Sequence, residues 1–391
     1  MKTMKLGVLL LTFLLAAVAM VPMVSATEQN ASSVSAVDVN NSPLPQLQFN
    51  NSQTKVVVTG ELSPELTAQS AQVAALAATQ SHTVSKIPYG SIIYHSKDGV
   101  TTVFDSTGKQ LFAAEDSKAA LVNTTKGPLP ATGIHEVPSG SVVSSDGKNT
   151  MVTYEGKVLF REIDEKSNAQ QTDSLVTAQA FSIPHSYVEG IEGTPTSQNV
   201  GYYSTTWRVP TTPSDHAGVL YLFNGVQTTT GRSLLIQPVL AWHAESQTEW
   251  SMESVFMYGE TTGVHSTRRY GVSENHQIQG TMTYNAQSNL WTIITLDNSN
   301  GFSTSLTVSN SMPNSGVVIN AWLESWGSSL NRLMCGSTTF NNFVVRDTSN
   351  NNIRPSSVTR YIQSGNWPYL TGLDVLTNNW PTSITLKTNP Q

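Results

Sequence analysis

The chain has 391 residues, a formal charge of −6, eight histidines and a single cysteine, Cys335. The acidic balance argues against a nucleic-acid partner, and one thiol rules out an intramolecular disulfide or a Cys-based zinc site. Only 12% of residues are charged, about half the usual ~25%. Ser, Thr, Asn and Gln fill the gap, giving a surface that changes little when carboxylates protonate and so suits an acidic exterior.

In chain order, Lys2 and Lys5, the apolar run Leu6–Val21 and the small-residue site Val24-Ser25-Ala26 define a signal peptide over residues 1–26. The expected product is a secreted, extracellular protein with no membrane association once the signal is removed. Residues 27–82 read as a flexible leader carrying one short Ala-rich helix within 63–81, where Glu65 sits in the first turn. Residues 83–165 contain an internal repeat. "IPYGSIIYHSKDGVTTVFDSTGKQLF" (87–112) and "VPSGSVVSSDGKNTMVTYEGKVLF" (137–160) share a Pro-x-Gly-Ser frame, an Asp-Gly turn, a strand, and a closing Gly-Lys and Leu-Phe. Asp98-Gly99 and Asp146-Gly147 are turn signals, so the repeat predicts a small all-β hairpin domain. Its position between a signal peptide and a larger domain suits a pro-segment or, equally, a binding module. Residues 166–197 are polar and unpatterned, a linker open to proteolysis. Residues 198–391 alternate short strands with Gly, Asn, Ser and Pro turns, the pattern of a β-sandwich or jelly roll.

Two strands of that region carry polar residues worth placing. In "SGVVINAWLESWGSS" (315–329) alternation puts Val318, Asn320, Trp322, Glu324 and Trp326 on one face and Val317, Ile319, Ala321 and Leu323 on the other. The first face has the composition of a binding cleft, and desolvation between two tryptophans would raise the pKa of Glu324. In "SLLIQPVLAW" (233–242), Leu235, Gln237, Val239 and Ala241 share one face, and Leu234, Ile236, Pro238, Leu240 and Trp242 the other. Both faces are apolar, so the strand is expected to be central and covered on both sides. An amide buried there without partners costs about 1–3 kcal/mol, so Gln237 is either satisfied by a neighbour or placed for chemistry.

In order and spacing, "STTWRVP" (204–210), "YLFNGVQ" (221–227), "LLIQPVLAW" (234–242), "EWSMES" (249–254), "AWLESW" (321–326) and "STTFNNFVV" (337–345) resemble the eqolisin-type glutamic peptidases over roughly residues 198–347. The resemblance implies a concanavalin-like β-sandwich, secretion with a pro-segment, and a catalytic Gln and Glu falling on Gln237 and Glu324. Trp250, Trp322, Trp326 and Glu253 would contact substrate. The family's Asp-bearing strand is replaced by Phe223-Asn224-Gly225-Val226-Gln227, which removes an acidic partner and leaves substrate preference and pH optimum open. In such a dyad Glu324 would take a proton from a water attacking a peptide carbonyl, while the Gln237 amide donates to the oxyanion, a contribution of about 2.7–4 kcal/mol per donor.

The expected function is therefore an acid endopeptidase, monomeric, acting on protein or peptide substrates. The histidines show no HExxH or other close ligand spacing, so neither a metal nor another cofactor is expected. Two readings stand beside it. A glycoside hydrolase pairing Glu324 with Glu253 or Glu249 would need carboxylates about 5–5.5 Å or 6.5–9.5 Å apart, and a non-catalytic carbohydrate-binding or adhesion sandwich would use the tryptophans to stack on sugars. A Gly-x-Ser-x-Gly elbow, an Asp-Thr/Ser-Gly motif and a papain-like setting for Cys335 are all missing.

Overall fold

The computed structural model describes residues 87–146, 148–165, 187–195, 199–213, 219–229, 234–242, 249–259, 261–309, 312–326, 337–364, 374–379 and 382–387. The signal peptide, the leader and its Ala-rich helix lie outside them. The first strands are β1 (Ser91–His95), β2 (Val100–Phe104), β3 (Gln110–Glu115), β4 (Leu121–Thr124), β5 (Gly127–Pro130) and β6 (Ile134–Val137). They are followed by β7 (Ser141–Ser145), β8 (Asn149–Tyr154), β9 (Lys157–Asp164), β10 (Tyr187–Pro195), β11 (Val200–Arg208) and β12 (Val219–Thr228). Next come β13 (Leu235–Trp242), β14 (Trp250–Met257), β15 (Gly263–Ser266), β16 (Arg269–Val272), β17 (Gln277–Asn285) and β18 (Leu290–Asp297). The last are β19 (Ser303–Ser309), β20 (Val317–Trp326), β21 (Ser337–Asp347), β22 (Pro355–Ser364), β23 (Asp374–Asn379) and β24 (Ser383–Lys387).

These strands form an all-β sandwich, as the turn-rich sequence predicts. One sheet runs β23-β24-β21-β11-β17-β18-β19-β7-β8-β9-β1-β2-β3, and the other β22-β10-β20-β12-β13-β14-β15-β6, with β16 beside β14. Between them lies a continuous core in which Trp207, Ile278, Met282, Trp291 and Ile293 of the first sheet meet Leu220, Leu222, Ile236, Leu240 and Leu323 of the second. Fully burying a side chain of this size contributes about 1.5–3 kcal/mol, so packing can supply the stability of a chain whose single cysteine allows no internal disulfide.

The repeat has a structural meaning. Each Pro-x-Gly-Ser frame folds into the same turn: the Ser91 hydroxyl donates to Pro88 O at 2.7 Å, and Ser141 to Pro138 O at 2.7 Å. Gly90 and Gly140 both take positive φ, 78° and 92°, a backbone that side chains disfavour. The frame then launches a strand in parallel with a neighbour, β1 along β9 and β7 along β19. Asp98-Gly99 forms the expected turn, with Gly99 at φ 78°, and Asp146 accepts from the backbone of Lys148 and Asn149 at 2.9 and 2.7 Å.

Two differences from the expected boundaries stand out. Tyr187–Pro195, assigned to the linker by its polarity, is strand β10, hydrogen-bonded between β20 and β22. Glu189 and Glu192 mask its pattern, but Ile191 is fully buried in the core. The N-terminal hairpins also extend both sheets, through β7 on one and β6 on the other, and belong to the same compact unit as the sandwich.

Candidate functional site

The outer face of the second sheet carries a separate apolar floor made of Val219, Tyr221, Phe223, Leu235, Val239, Ala241, Val255 and Met257. Strand alternation creates it: Leu220, Leu222, Ile236 and Leu240 point into the sandwich core while their neighbours point outward. The parity expected for β13 and β20 therefore holds. Gln237, Asn320, Trp322 and Glu324 sit on the floor side, and Val317, Ile319, Ala321 and Leu323 belong to the core.

Gln237 is at the centre of this floor and fully buried. Its Oε1 accepts a hydrogen bond from Thr125 Oγ1 at 2.6 Å, while its Nε2 has no hydrogen-bond partner among the described residues. Thr125 is at the tip of the β4–β5 hairpin, whose turn is closed by the Thr124 hydroxyl donating to Gly127 O at 2.6 Å. Beside it Lys126 Nζ donates to Gly259 O at 3.1 Å, and Leu129 packs into the apolar floor. A segment of the chain's own N-terminal region thus packs over this face, the candidate cleft.

Register fixes the relation between Gln237 and Glu324. Glu324 faces Tyr221 on β12, and Tyr221 faces Ala241 on β13. Gln237 lies four residues farther along β13, roughly 13 Å along the strand and about 10 Å across for a flat sheet. The pair shares a face but not a row. The residue in Gln237's own row is Asn320, across Gly225. A Cβ on Gly225 would come within 2.7 Å of Asn320 Oδ1, so only glycine lets the Asn320 amide lean over β12. Both polar atoms of that amide are buried without a hydrogen-bond partner among the described residues.

The other expected residues are spread over several environments. Trp322 is half-buried at the cleft, its ring 6.1 Å from that of Phe223 and its Nε1 donating to Ile191 O at 3.0 Å. Trp326 ends β20 opposite Val219, and its side chain lies outside the described residues. Trp250 packs against Trp242 at 5.5 Å in the sandwich core, on the face away from Gln237, so it supports the sheet rather than lining the cleft. Glu253 is on the cleft face but engaged: its Oε2 is 2.9 Å from Arg268 Nε and 3.0 Å from His265 Nδ1. It stands in the row of Val239, Phe223 and Trp322, three strands or about 14 Å from β20, wider than the spacing a glycosidase pair uses.

Sequence reasoning missed Thr125 and Asn320. Nothing local marks Thr125, because only the fold brings it to Gln237. Asn320 was already on the polar face of its strand, and the signal that singles it out is its register with Gly225.

No family model matches the chain, and no curated protein matches it. Among solved structures, the scytalido-glutamic peptidase with a peptide-based transition-state analog is similar at TM-score 0.37 and 12% identity, over 52% of this chain and 98% of that one. SCP-B, an eqolisin-family peptidase in complex with the tripeptide Ala-Ile-His, is similar at TM-score 0.35 and 13% identity, over 52% and 98%. The CBM2 module of the evolved Dit of Lactobacillus casei BL23 phage J-1 is similar at TM-score 0.28 and 13% identity, over 72% and 100%. At this distance the chemistry has to be argued from the chain's own residues.

Proposed function

We propose that the protein is a secreted, monomeric acid peptidase made as a precursor, and that its cleft takes an extended polypeptide. The observation that carries this reading is the occupant of the cleft: a polypeptide hairpin whose Thr125 hydroxyl meets Gln237 and whose Leu129 enters the apolar floor. A substrate segment would replace that hairpin with the same kind of contact. Gln237 would turn its unpartnered Nε2 to the developing oxyanion, in a dry setting where a donor counts for more than in water. Glu324, buried on the same face, is the candidate base for activating water and returning the proton to the leaving nitrogen, and this role requires the sheet to coil enough to close the offset of about 13 Å by 10 Å that a flat sheet gives between it and Gln237. Trp322 would flank the substrate.

A second reading is favoured by one observation, the neutral amide of Asn320 in the row of Gln237. Two amides can hold a peptide backbone but cannot take a proton from water, so this arrangement suits peptide binding without hydrolysis.

Casein hydrolysis at acidic pH, measured for wild type, Gln237→Ala and Glu324→Gln after cleavage between residues 166 and 186, separates the two. The peptidase reading expects wild-type activity and its loss in both variants, each still folded by near-UV circular dichroism. Full activity in Glu324→Gln would remove that residue from the mechanism. A cleaved wild type that binds peptide without cutting it would establish the second reading.

A further inference from the structure

Away from the cleft, the fold gathers three groups that lie far apart in sequence: His95 on β1, Glu162 on β9 and His135 on β6. We infer that these three residues form a binding site for a zinc ion that ties the two sheets together. His95 Nε2 lies 3.2 Å from Glu162 Oε1, and His135 Nε2 lies 3.5 Å from Glu162 Oε2. Donors bound to zinc at ~2.0–2.1 Å in a tetrahedron stand about 3.3 Å from one another; each histidine is near that distance from one oxygen of Glu162, and one ligand atom from each of the three residues lies within 4.8 Å of the others, so a small adjustment of the side chains would close the set around an ion.

Hydrogen bonding points the same way. The Thr101 hydroxyl donates to Asp116 Oδ1 at 2.6 Å, so toward His95 Nδ1, 2.7 Å away, it acts as an acceptor. Nδ1 therefore carries a proton, and Nε2, 3.2 Å from Glu162 Oε1, either donates to that carboxylate in the protonated ring or, in the neutral ring, offers its lone pair to a metal. The latter is the arrangement expected behind a metal-ligating histidine, whose other nitrogen is held by an outer partner. Apart from the ion-pair contacts among the three residues themselves, His95 Nε2, His135 Nε2 and Glu162 Oε1 are buried without a hydrogen-bond partner among the described residues. The remaining oxygen, Glu162 Oε2, accepts from Tyr258 Oη at 2.5 Å, which fixes the carboxylate. A proton on a histidine would pair it with Glu162, and a bound cation would take the place of that proton between the same three groups.

The donor set selects the ion. Two imidazoles and one carboxylate suit zinc, whereas calcium and magnesium take oxygen ligands almost throughout. A cavity of about 80 Å³ borders His95 and is lined by Asp116, Asp164, Thr132 and Thr262, giving an acidic approach for a cation. Since β1 and β9 belong to one sheet and β6 to the other, the ion would bridge the sheets beside the hairpin that packs over the candidate cleft.

The test is a calorimetric titration of the chelator-treated full chain with Zn²⁺ at neutral pH, with zinc-edge X-ray absorption on the loaded wild type. One equivalent should bind and raise the melting temperature, and the absorption spectrum should report two imidazole donors and one carboxylate. His135→Gln and Glu162→Gln should each weaken binding at least ~10-fold, a loss that even the outer partners of a metal can cause. His135, the most exposed of the three, is the variant least prone to unfold. Failure to bind, a zinc shell without two imidazoles, or an affinity unchanged in both variants would overturn the proposal. The absorption result needs no variant to fold.

Discussion

Glu253 shows how one buried carboxylate makes this sandwich sensitive to pH. Burial alone would push its pKa up, but the charge of Arg268, followed by His265, outweighs burial and holds the carboxyl below its usual value. Its folded pKa thus lies under the unfolded value of about 4.3, and as pH falls the unfolded chain takes up the proton first. The stability this group contributes is complete above the unfolded pKa and is lost as pH drops through the folded one. Glu253→Gln removes the charge facing Arg268, and breaking a buried pair of this kind costs about 3–5 kcal/mol. Urea unfolding should show that deficit at neutral pH and show it narrowing below pH ~4. An equal deficit at both ends would mean that Glu253 does not titrate against these partners. Thr125 and Gln237 are a contrasting neutral pair: their hydrogen bond has no charge to lose, so acid alone leaves that contact intact.

At the scale of elements, β10 and β20 show how closely glycine and tryptophan positions depend on one another. A Cβ on Gly190 would lie 2.4 Å from Ala321 O and 2.4 Å from Trp322 Cδ1, so the bare backbone of β10 gives the indole its place at the cleft. Gly190→Ala should lower stability by about 1–3 kcal/mol, the usual cost of overpacking, and shift the near-UV signal of Trp322. An unchanged melting temperature and spectrum would show that the strand relaxes around the methyl. The strand faces themselves were legible in sequence, because a period of two is a local property: β13 and β20 each read correctly from their own residues. Trp250 was misplaced although its strand carried the signal, since alternation groups it with Met252 and Phe256 against a face bearing Ser251 and Glu253, and the resemblance of the strand to an aromatic substrate strand outweighed that pattern. The rows were not legible. Placing Asn320 beside Gln237 needs the pairing of β20 with β12 and of β12 with β13, a long-range choice that no short motif encodes. The same limit hid His95, His135 and Glu162, and it hid β10 behind its glutamates.

At the scale of the whole molecule, residues 87–165 are bound to the sandwich in three ways, and this decides what cleavage of the following segment can do. Strand β7 pairs in parallel with β19 from Ser141 to Ser144, and β6 with β15 from Ile134 to Val137. Val137, Val143, Val152 and Phe160 belong to the same buried cluster as the sandwich core. The hairpin tip adds the Thr125 to Gln237 and Lys126 to Gly259 contacts. Removing these residues would bare two strand edges, each an open row of backbone groups, and expose core side chains worth about 1.5–3 kcal/mol apiece. A single cut between residues 166 and 186 should therefore leave two fragments that co-elute on size exclusion at neutral pH and part only in denaturant. If the cleft is catalytic, hydrolysis should lag behind the cut, because the hairpin stays seated until its strands are displaced. Prompt dissociation of the N-terminal fragment on cutting would show that the two parallel seams and the shared core do not hold it, and activity should then rise together with cleavage.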